Sequence, residues 1–108
     1  MSKKNKSNEE IPELTPTERL IHQPARLRIM AYLYVVNKAD MVFLKSQTGL
    51  TWGNLSSHIS KLEEAELVEV EKTFEKKKPL TILSLTKEGR IAFENYRDKM
   101  NQLLGDLK

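Results

Sequence analysis

The strongest chemical signal in the sequence is a run of small, neutral, polar side chains followed by a run of acidic ones. Residues 50–70 read LTWGNLSSHISKLEEAELVEV, with every glutamate in the second half. An asparagine amide can bond an adenine at two positions at once, and small neighbours allow a helix to approach base edges closely. Glutamates would be repelled by phosphate. The pattern therefore favours a helix whose neutral end enters a nucleic-acid groove.

The inventory of side chains argues against other chemistry. Cysteine is absent, which excludes disulfides, thiolate metal ligands and cysteine nucleophiles. The histidines are His22 and His58, and neither has a companion at ligand spacing, so no metal site is expected. The chain has no nucleophile with an adjacent base, no paired carboxylates in an apolar setting and no glycine-rich phosphate loop. We therefore expect no enzymatic activity and no cofactor.

Size and composition indicate one small domain. The 108 residues are 39% hydrophobic and 31% charged, with a net charge of +3, a balance that is compatible with a nucleic-acid partner. No run reaches the roughly eighteen apolar residues of a membrane span. The amino terminus, MSKKNKSNEEIPEL, lacks the apolar segment of a secretory signal. The sequence predicts a soluble, cytoplasmic protein without a membrane partner.

The polar run is positioned by a helix predicted over residues 51–65. Thr51 can cap the first turn, and Leu50 and Leu55 have the spacing of a hydrophobic staple. Apolar residues recur at helical spacing and predict one buried stripe, formed by Trp52, Leu55, Ile59 and Leu62. The residues opposite the stripe then point outward, with His58 on the flank: Gly53, Asn54, Ser57, Ser60, Lys61 and Glu64.

A β-hairpin is predicted over residues 67–85. The segment LVEVEK alternates apolar and acidic side chains, which indicates a half-buried strand, and LTILSL supplies the second strand. Pro79 fits the start of that second strand, where a missing amide proton matters least. Between the strands we expect a polar loop over residues 72–79, KTFEKKKP, with a protruding tip that carries Lys76, Lys77 and Lys78.

The amino-terminal part predicts a tail followed by two helices. Residues 1–14 have almost nothing to bury and are expected to be a disordered tail. Thr15, followed by proline, has the form of a helix start. Pro24 opens a second helix, PARLRIMAYLYVV, whose apolar residues spread over more than one face. Residues 40–48 indicate a brief extended piece that runs into a short helix, and Gly49 stands where a left-handed helix stop belongs.

The carboxyl-terminal residues 86–108 predict one long helix. Its apolar residues follow a seven-residue repeat: Phe93, Tyr96, Met100, Leu103 and Leu107. Two heptads are too few for a free-standing coiled coil. The helix is therefore expected to pack against the first long helix or across a dimer axis.

This order of elements resembles the winged helix-turn-helix domains of small transcriptional regulators of the MarR and ArsR types. The resemblance rests on PARLRIMAYL, on TGLTWGNLSSHISKLEEAELVEV and on LSLTKEGRIAFENY, and covers about two-thirds of the chain. It implies a mainly α fold with a small β-hairpin: a three-helix core plus the wing, with an extra C-terminal helix. The domain would comprise residues 15–108.

The resemblance also implies a function: sequence-specific binding of double-stranded DNA by a homodimeric transcriptional regulator. The recognition helix, residues 51–65, would lie in the major groove, and the wing, residues 67–85, on the backbone or minor groove. The expected contacts from the helix are Thr51, Trp52, Gly53, Asn54, Ser57, His58 and Lys61. Those from the wing are Lys72, Lys76, Lys77 and Lys78. The expected dimer interface comprises Leu20, Ile21, Leu27, Phe93, Tyr96, Met100, Leu103, Leu104 and Leu107.

Alternatives accompany each of these assignments. For Trp52 the alternative is a packing residue, and for His58 it is a hydrogen bond within its own subunit. For Asn54 it is an ordinary residue of the helix start, and for the wing lysines it is a role in keeping the hairpin soluble. The rival function is a winged helix used for protein–protein interaction through Trp52 and Phe74. One departure from the family pattern is Glu66, which stands where glycine is usual because the backbone there is left-handed. No small-molecule effector is assigned.

Overall fold

The computed structural model describes residues 13–106. Within this range the elements, in chain order, are α1 (Pro16–Ile21), α2 (Pro24–Val36), β1 (Lys38–Asp40), α3 (Met41–Thr48), α4 (Trp52–Glu64), β2 (Val68–Glu75), β3 (Lys78–Leu85) and α5 (Lys87–Asp106). The predicted fold class is confirmed: a mainly helical winged helix with an additional C-terminal helix. None of the helices in the described range is long and apolar enough to cross a membrane.

The predicted tail, residues 1–14, lies outside the described residues except for its last two. Those two already belong to the folded unit. Leu14 packs against the core, and the Glu13 carbonyl accepts a hydrogen bond from Lys99 Nζ at 3.1 Å. The folded part therefore begins slightly before the predicted boundary at residue 15.

Side-chain caps fix the helix starts that the sequence predicts. Thr15 Oγ1 accepts a hydrogen bond from the Glu18 amide at 3.1 Å, and Glu18 Oε1 accepts one from the Thr15 amide at 2.9 Å, which completes a capping box. Thr51 Oγ1 accepts from the Asn54 amide at 3.1 Å and starts α4. Gly49 ends α3 with a left-handed φ of 72°, as expected. These local signals set the turn between α3 and α4.

The sheet has three antiparallel strands in the order β1-β3-β2. The sequence indicated an extended piece near Asp40 but not that it pairs with the hairpin. In the structure β1 lies beside the base of the wing, with Ala39 opposite Leu83. Ala39 and Leu83 are both buried, so this third strand attaches the wing to the helical core.

The hairpin is longer than predicted, and the predicted loop over residues 72–79 is wrong. Strand β2 continues to Glu75 and pairs with Lys78, which leaves a connection of Lys76 and Lys77 alone. Their φ values are 52° and 65°. Positive φ at both positions of a two-residue connection is typical of a type I′ turn, in which asparagine and glycine are preferred. The protruding lysine tip itself is confirmed.

One hydrophobic core joins the helices to the sheet. Its fully covered side chains come from every layer of the domain: Ile21, Ile29, Met30, Leu33, Leu44, Leu55, Leu62 and Leu83. Three of the four residues of the predicted α4 stripe are buried, and Trp52 is the exception, with half of its surface exposed. The prediction that Trp52 is buried is therefore wrong. Trp52 lies in the first turn of α4, and its side chain projects beyond the part of the core that the later turns pack against.

The exit from α4 keeps a left-handed backbone without glycine. Glu66 has a φ of 63°, a conformation that costs a non-glycine residue about 1 kcal/mol. Hydrogen bonds on both sides hold it in place. The Leu67 amide donates to the Leu62 carbonyl at 2.9 Å, and Thr86 Oγ1 donates to the Glu66 carbonyl at 2.7 Å. The departure from the family pattern therefore leaves the exit geometry intact.

A buried ion pair fastens α1 to α5. Glu18 is 4% exposed, and its Oε1 lies 2.6 Å from Lys99 Nζ. Burial alone would raise the pKa of the Glu18 carboxyl. The hydrogen bond from Lys99, the bonds from Thr15 and the positive charge of Lys99 together outweigh burial, so the pKa lies below its ordinary value.

Replacing this lysine is expected to produce a pH-dependent loss of stability. Lys99→Met leaves a carboxylate buried without its cation, so we expect the free energy of unfolding at neutral pH to fall by about 1–3 kcal/mol. Because the folded-state pKa of Glu18 is lowered, the contribution of the pair is present above the unfolded pKa. It is lost as the pH falls through the folded pKa.

Urea unfolding of both proteins between neutral pH and about pH 3 measures the effect. The difference between the parent and Lys99→Met should shrink toward acid. Arg97→Met, which removes one partner of an exposed pair with Asp98, is the control on the same helix and should change stability much less. A Lys99→Met deficit that stays constant with pH would contradict the assignment.

Candidate nucleic-acid interface

The recognition helix presents the face that the sequence predicts. Leu55, Ile59 and Leu62 are turned into the core. The residues opposite them are exposed: Gly53, Asn54, Ser57, Ser60, Lys61 and Glu64. The Asn54 backbone amide is used by the Thr51 cap, while its side-chain amide has no hydrogen-bond partner within residues 13–106. That amide is therefore available to an external partner.

Trp52 stands at the start of this face and is partly covered by a cation. It is 50% exposed, and Lys45 Nζ lies 5.4 Å from the centre of its ring. An ammonium over an indole face is attracted by the ring's electrons. The pair places one positive charge beside the amino end of α4.

His58 lies on the flank of α4 and contacts α2. Arg26 Nη1 lies 3.3 Å from His58 Nδ1, and Arg26 Nε donates to the Leu20 carbonyl at 2.6 Å. Desolvation lowers the pKa of His58, and the positive charges of Arg26 and Lys61 lower it further. The imidazole is therefore neutral at physiological pH. Of the two alternatives, the bond within its own subunit is present.

Arg28 holds α2 against the turn that precedes the recognition helix. Its guanidinium donates to two carbonyls at the end of α3, Thr48 at 3.2 Å and Gln47 at 2.9 Å. The Thr48 hydroxyl in turn donates to the Leu44 carbonyl at 2.7 Å. The bonds from Arg28 occupy carbonyl groups that the end of α3 leaves without helical partners, and they hold α2 against that end.

The wing brings its lysines to two places. Lys72 lies on the hairpin face that looks toward α4, since it lines a cleft together with Ser56 and Ser60. Lys76, Lys77 and Lys78 are exposed at the tip. Residues two apart on a strand share a face, so Phe74, which is 73% exposed, points to the same side as Lys72.

Charge is distributed unevenly along α4. The exposed glutamates Glu63, Glu64 and Glu66 cluster at its carboxyl end, while the amino half carries none. Residues 51–66 sum to −2, from one lysine and three glutamates. The amino half of α4 is thus free of carboxylates, and at the wing tip three lysines outnumber the single carboxylate of Glu75, so a polyanion can approach both parts of this surface.

The residues predicted for a dimer interface divide into three groups. Those that retain accessible surface are Leu20, Leu27, Phe93, Met100, Leu103 and Leu104. Ile21 and Tyr96 are covered by their own chain, so their assignment to an interface is wrong. Leu107 lies outside the described residues. Ile91 on α5 is also an accessible apolar side chain, 48% exposed, and it falls outside the heptad seam.

Tyr96 illustrates the correction. His22 Nδ1 lies 2.7 Å from the Tyr96 hydroxyl, and the two rings are in contact with centroids 5.7 Å apart. Burial raises the pKa of Tyr96, so the hydroxyl keeps its proton. The seam on α5 therefore packs, at this position, against α1 of the same chain. No group of three or more metal-ligating side chains occurs within residues 13–106.

Comparisons with known proteins agree with this geometry. The chain is 38% identical over 85 residues to an uncharacterized protein of Methanocaldococcus jannaschii. The matched residues cover 79% of this chain and 92% of that protein. A transcriptional regulator homologue protein from Pyrococcus horikoshii OT3 superposes with a TM-score of 0.79 at 29% identity, over 83% of this chain and 89% of that chain.

A MarR mutant from E. coli, solved in complex with operator DNA, has the same fold, with a TM-score of 0.68 and 18% identity over 82% of this chain and 69% of that chain. Residues 25–104 match the family model described as winged helix DNA-binding domain. This match covers most of the chain and spans α2 to the last turns of α5. The chain therefore belongs to the winged helix DNA-binding domain family.

Proposed function

We propose that this chain is a homodimeric, non-catalytic transcriptional regulator that binds specific sequences of double-stranded DNA. The recognition helix enters the major groove by its amino half, and the wing contacts the backbone or minor groove. The observation that carries the proposal is the exposed, carboxylate-free face around Asn54 and Ser57, beside a hairpin that ends in three lysines. Phosphate contacts supply affinity and base contacts supply specificity, and this surface offers both kinds of group.

The backbone of the wing tip supports the proposal. Lys76 and Lys77 both have positive φ, a conformation that costs roughly 1–2 kcal/mol per residue with a β-carbon. Asparagine and glycine would satisfy the same turn with less strain. Residues with strained backbone conformations are concentrated at binding sites, where the function of the side chain offsets the cost of the strain. Two lysine side chains at a protruding tip are suited to phosphate.

Relatives support the same function. The Pyrococcus horikoshii protein is described as a transcriptional regulator homologue, and the E. coli MarR structure contains operator DNA. Both share the fold of this chain over more than 80% of its length. The dimer is supported by apolar side chains that a single copy leaves accessible on α5, such as Leu104, which is 61% exposed. Sedimentation equilibrium should give twice the monomer mass.

Selection of bound fragments from random duplex DNA tests the proposal directly. A consensus with two related half-sites about one helical turn apart is expected from a two-fold symmetric dimer. Failure to enrich any sequence, at low as well as moderate salt, would refute sequence-specific binding.

Asn54→Ala is expected to reduce affinity for the selected sequence and to relax the preference at one base position in each half-site. A bidentate contact to a base contributes about 1–3 kcal/mol of discrimination, so a roughly 5- to 150-fold loss per contact is expected. Fluorescence anisotropy with the selected duplex and with single-base variants measures it. Ser60→Ala, farther along the same exposed face, is the control. An Asn54→Ala protein with unchanged affinity and preference would remove Asn54 from the base contacts.

Gly53→Ala separates folding from binding. A β-carbon at Gly53 meets no other atom within 4 Å in the free protein, and alanine is favoured over glycine in a helix by about 1 kcal/mol. We therefore expect a higher melting temperature. If the helix lies close to base edges, the added methyl group occupies that space and DNA affinity falls. Increased stability combined with unchanged DNA affinity would contradict the docking of this face.

The rival function, a protein-interaction module, is favoured by the exposure of Phe74 and Trp52. The two functions predict different responses to Phe74→Ala. A module that docks a protein through this aromatic residue would lose its partner. A DNA-binding wing would keep most of its affinity, because the phosphate-binding lysines remain.

A further inference from the structure

Arg26 and His58 form a contact that determines which atoms of the recognition helix can donate hydrogen bonds. Arg26 Nη1 and His58 Nδ1 are 3.3 Å apart. A guanidinium has only donors and remains protonated at every accessible pH. In this pair the imidazole nitrogen must therefore accept. Because Nδ1 accepts, the proton of the neutral ring resides on Nε2.

The guanidinium is itself held in place. Its Nε donates to the Leu20 carbonyl at 2.6 Å, and the backbone amide of Arg26 donates to Gln23 Oε1 at 2.9 Å. Arg26 thus connects the end of α1 and the start of α2 to the flank of α4. The position of the donor relative to His58 is set by these elements rather than by a freely rotating side chain.

We propose that Arg26 is a positioning residue that fixes His58 as the Nε2–H tautomer, so that the flank of the recognition helix offers one neutral N–H donor to an acceptor atom on DNA. The part that concerns DNA rests on the function proposed above. The acceptor is a purine N7, a guanine O6 or a thymine O4 on a base edge, or a phosphate oxygen, since each of these atoms accepts and none donates. His58 is partly exposed, so the ring has an accessible edge.

The charged groups around the ring support this assignment. Arg26 faces His58 from α2, and Lys61 faces it from one turn farther along α4. Both cations lower the pKa of His58 and add to the effect of desolvation. Protonation would also put a second N–H opposite the guanidinium, which cannot accept it. The ring is therefore a neutral donor, and its contact with DNA should add nothing to the number of counterions released.

The first test uses the free protein and needs no DNA. Long-range ¹H–¹⁵N correlation spectra of the full chain report the protonation of each imidazole nitrogen, and the two histidines give few enough signals to assign. We expect the His58 Nδ1 signal of an unprotonated acceptor and the Nε2 signal of a protonated nitrogen. A His58 ring with its proton on Nδ1, or an even mixture of tautomers, would overturn the proposal.

Variants of Arg26 provide a second measurement on the same spectra. Arg26→Glu places an acceptor where the donor stood, so His58 should acquire a proton on Nδ1 and titrate at higher pH. Arg26→Gln should raise the titration midpoint by a smaller amount. Arg28→Gln, on the same helix but bonded to the carbonyls of Gln47 and Thr48, is the matched control and should leave His58 unchanged. Identical His58 spectra in the parent, Arg26→Gln and Arg26→Glu proteins would overturn the positioning role.

DNA binding then tests the donor and distinguishes the two acceptors. His58→Ala should reduce affinity for the selected duplex by about 3- to 10-fold, the range expected for one hydrogen bond. A loss confined to the selected duplex identifies a base edge, and its reproduction in the parent protein by a 7-deazapurine at one position identifies N7 as the acceptor. An equal loss on unrelated duplex identifies a phosphate. No loss on either duplex would overturn the donor role.

The two proposals fail in distinguishable ways. If the protein binds no duplex DNA, the function proposed above fails, while the tautomer in the free protein is still decided by the spectra. If the protein selects a sequence and His58→Ala binds it as tightly as the parent, only the present inference fails.

Discussion

The variant in which Lys76, Lys77 and Lys78 are replaced by alanine is expected to bind duplex DNA about 10²-fold more weakly than the parent at roughly 0.1 M salt. The three side chains project from the end of the wing, where no carboxylate other than that of Glu75 adjoins them in the chain. Each lysine that neutralises a phosphate releases counterions, and the free energy of that release grows as the salt concentration falls.

The same mechanism predicts a change in slope. A plot of the logarithm of affinity against the logarithm of salt concentration should lose about 0.9 unit for every phosphate contact removed. The triple variant should therefore lose up to roughly 3 units of slope for each wing that contacts DNA. Titrations followed by anisotropy at four or five salt concentrations give both quantities. The loss should be nearly the same on selected and unrelated duplexes, because phosphate contacts do not depend on sequence.

Lysines elsewhere in the domain provide the control. Lys38 is exposed in β1 and pairs with Ser84 at the base of the wing, six residues along β3 from Lys78 and thus about 20 Å away. Lys38→Ala combined with Lys87→Ala removes two charges and should change the slope less. If the control and the triple variant lose the same slope per charge, the effect is one of net charge, and the wing tip has no special contact.

The second large effect is expected in folding, from the substitution Gly89→Ala. A β-carbon at Gly89 would lie 1.9 Å from the Leu67 carbonyl oxygen and 2.8 Å from its carbonyl carbon. The obstacle is backbone and cannot turn away. The Leu67 carbonyl also accepts a hydrogen bond from the Thr86 amide at 3.0 Å, which restrains it further. We expect a loss of about 3 kcal/mol or more, at the upper end of overpacking effects, because α5 must move away from the start of β2.

Gly105→Ala is the matched control, since it makes the same change in the same helix. No atom lies within 4 Å of the position its β-carbon would take, so helix propensity alone applies and the variant should gain up to about 1 kcal/mol. Urea denaturation of the two variants and the parent measures the difference. If both substitutions changed the free energy of unfolding in the same direction, the close approach of Gly89 to the Leu67 carbonyl would be contradicted.

Local signals in the sequence were sufficient to predict the recognition helix. A threonine cap, apolar residues at helical spacing and a change of pattern at LVEV all lie within a few residues of the structure they specify. The outward face, with Asn54, Ser57 and Lys61, followed from that geometry and is confirmed as exposed. The contacts of this face with DNA remain a prediction.

Features that depend on distant pairing were harder to predict. Strand β1 has three residues, and only Ala39 is buried, so its own sequence carries little strand signal; it exists because Leu83 lies opposite. The outer part of β2, from Lys72 to Glu75, extends beyond the core. It therefore lacks the alternation of buried apolar and exposed polar residues that would indicate a strand. Backbone pairing with β3 extends the strand there, whereas its composition resembles a loop.

The seam on α5 shows a different kind of ambiguity. A helix that packs along its own domain and a helix that packs along a second copy require the same repeat of apolar residues. Nothing in the spacing of Tyr96 and Met100 distinguishes the two cases. The role of Gly89 was also missed, although LTKEG was one of the motifs that carried the resemblance. The glycine alone did not reveal this role, because Gly53 also lies in the first turn of a helix and a β-carbon there meets no atom within 4 Å.

The third strand supports only the base of the wing. Strand β1 pairs with residues 82–84 of β3, so the part of β3 nearer the tip has β2 on one side and solvent on the other. A two-stranded ribbon is marginally stable on its own. Amide protons near the tip should therefore exchange with solvent through local opening, long before those beside Ala39, which need opening of the whole domain. In the DNA complex proposed above, such a ribbon would adjust to grooves of different width while α4 keeps its position.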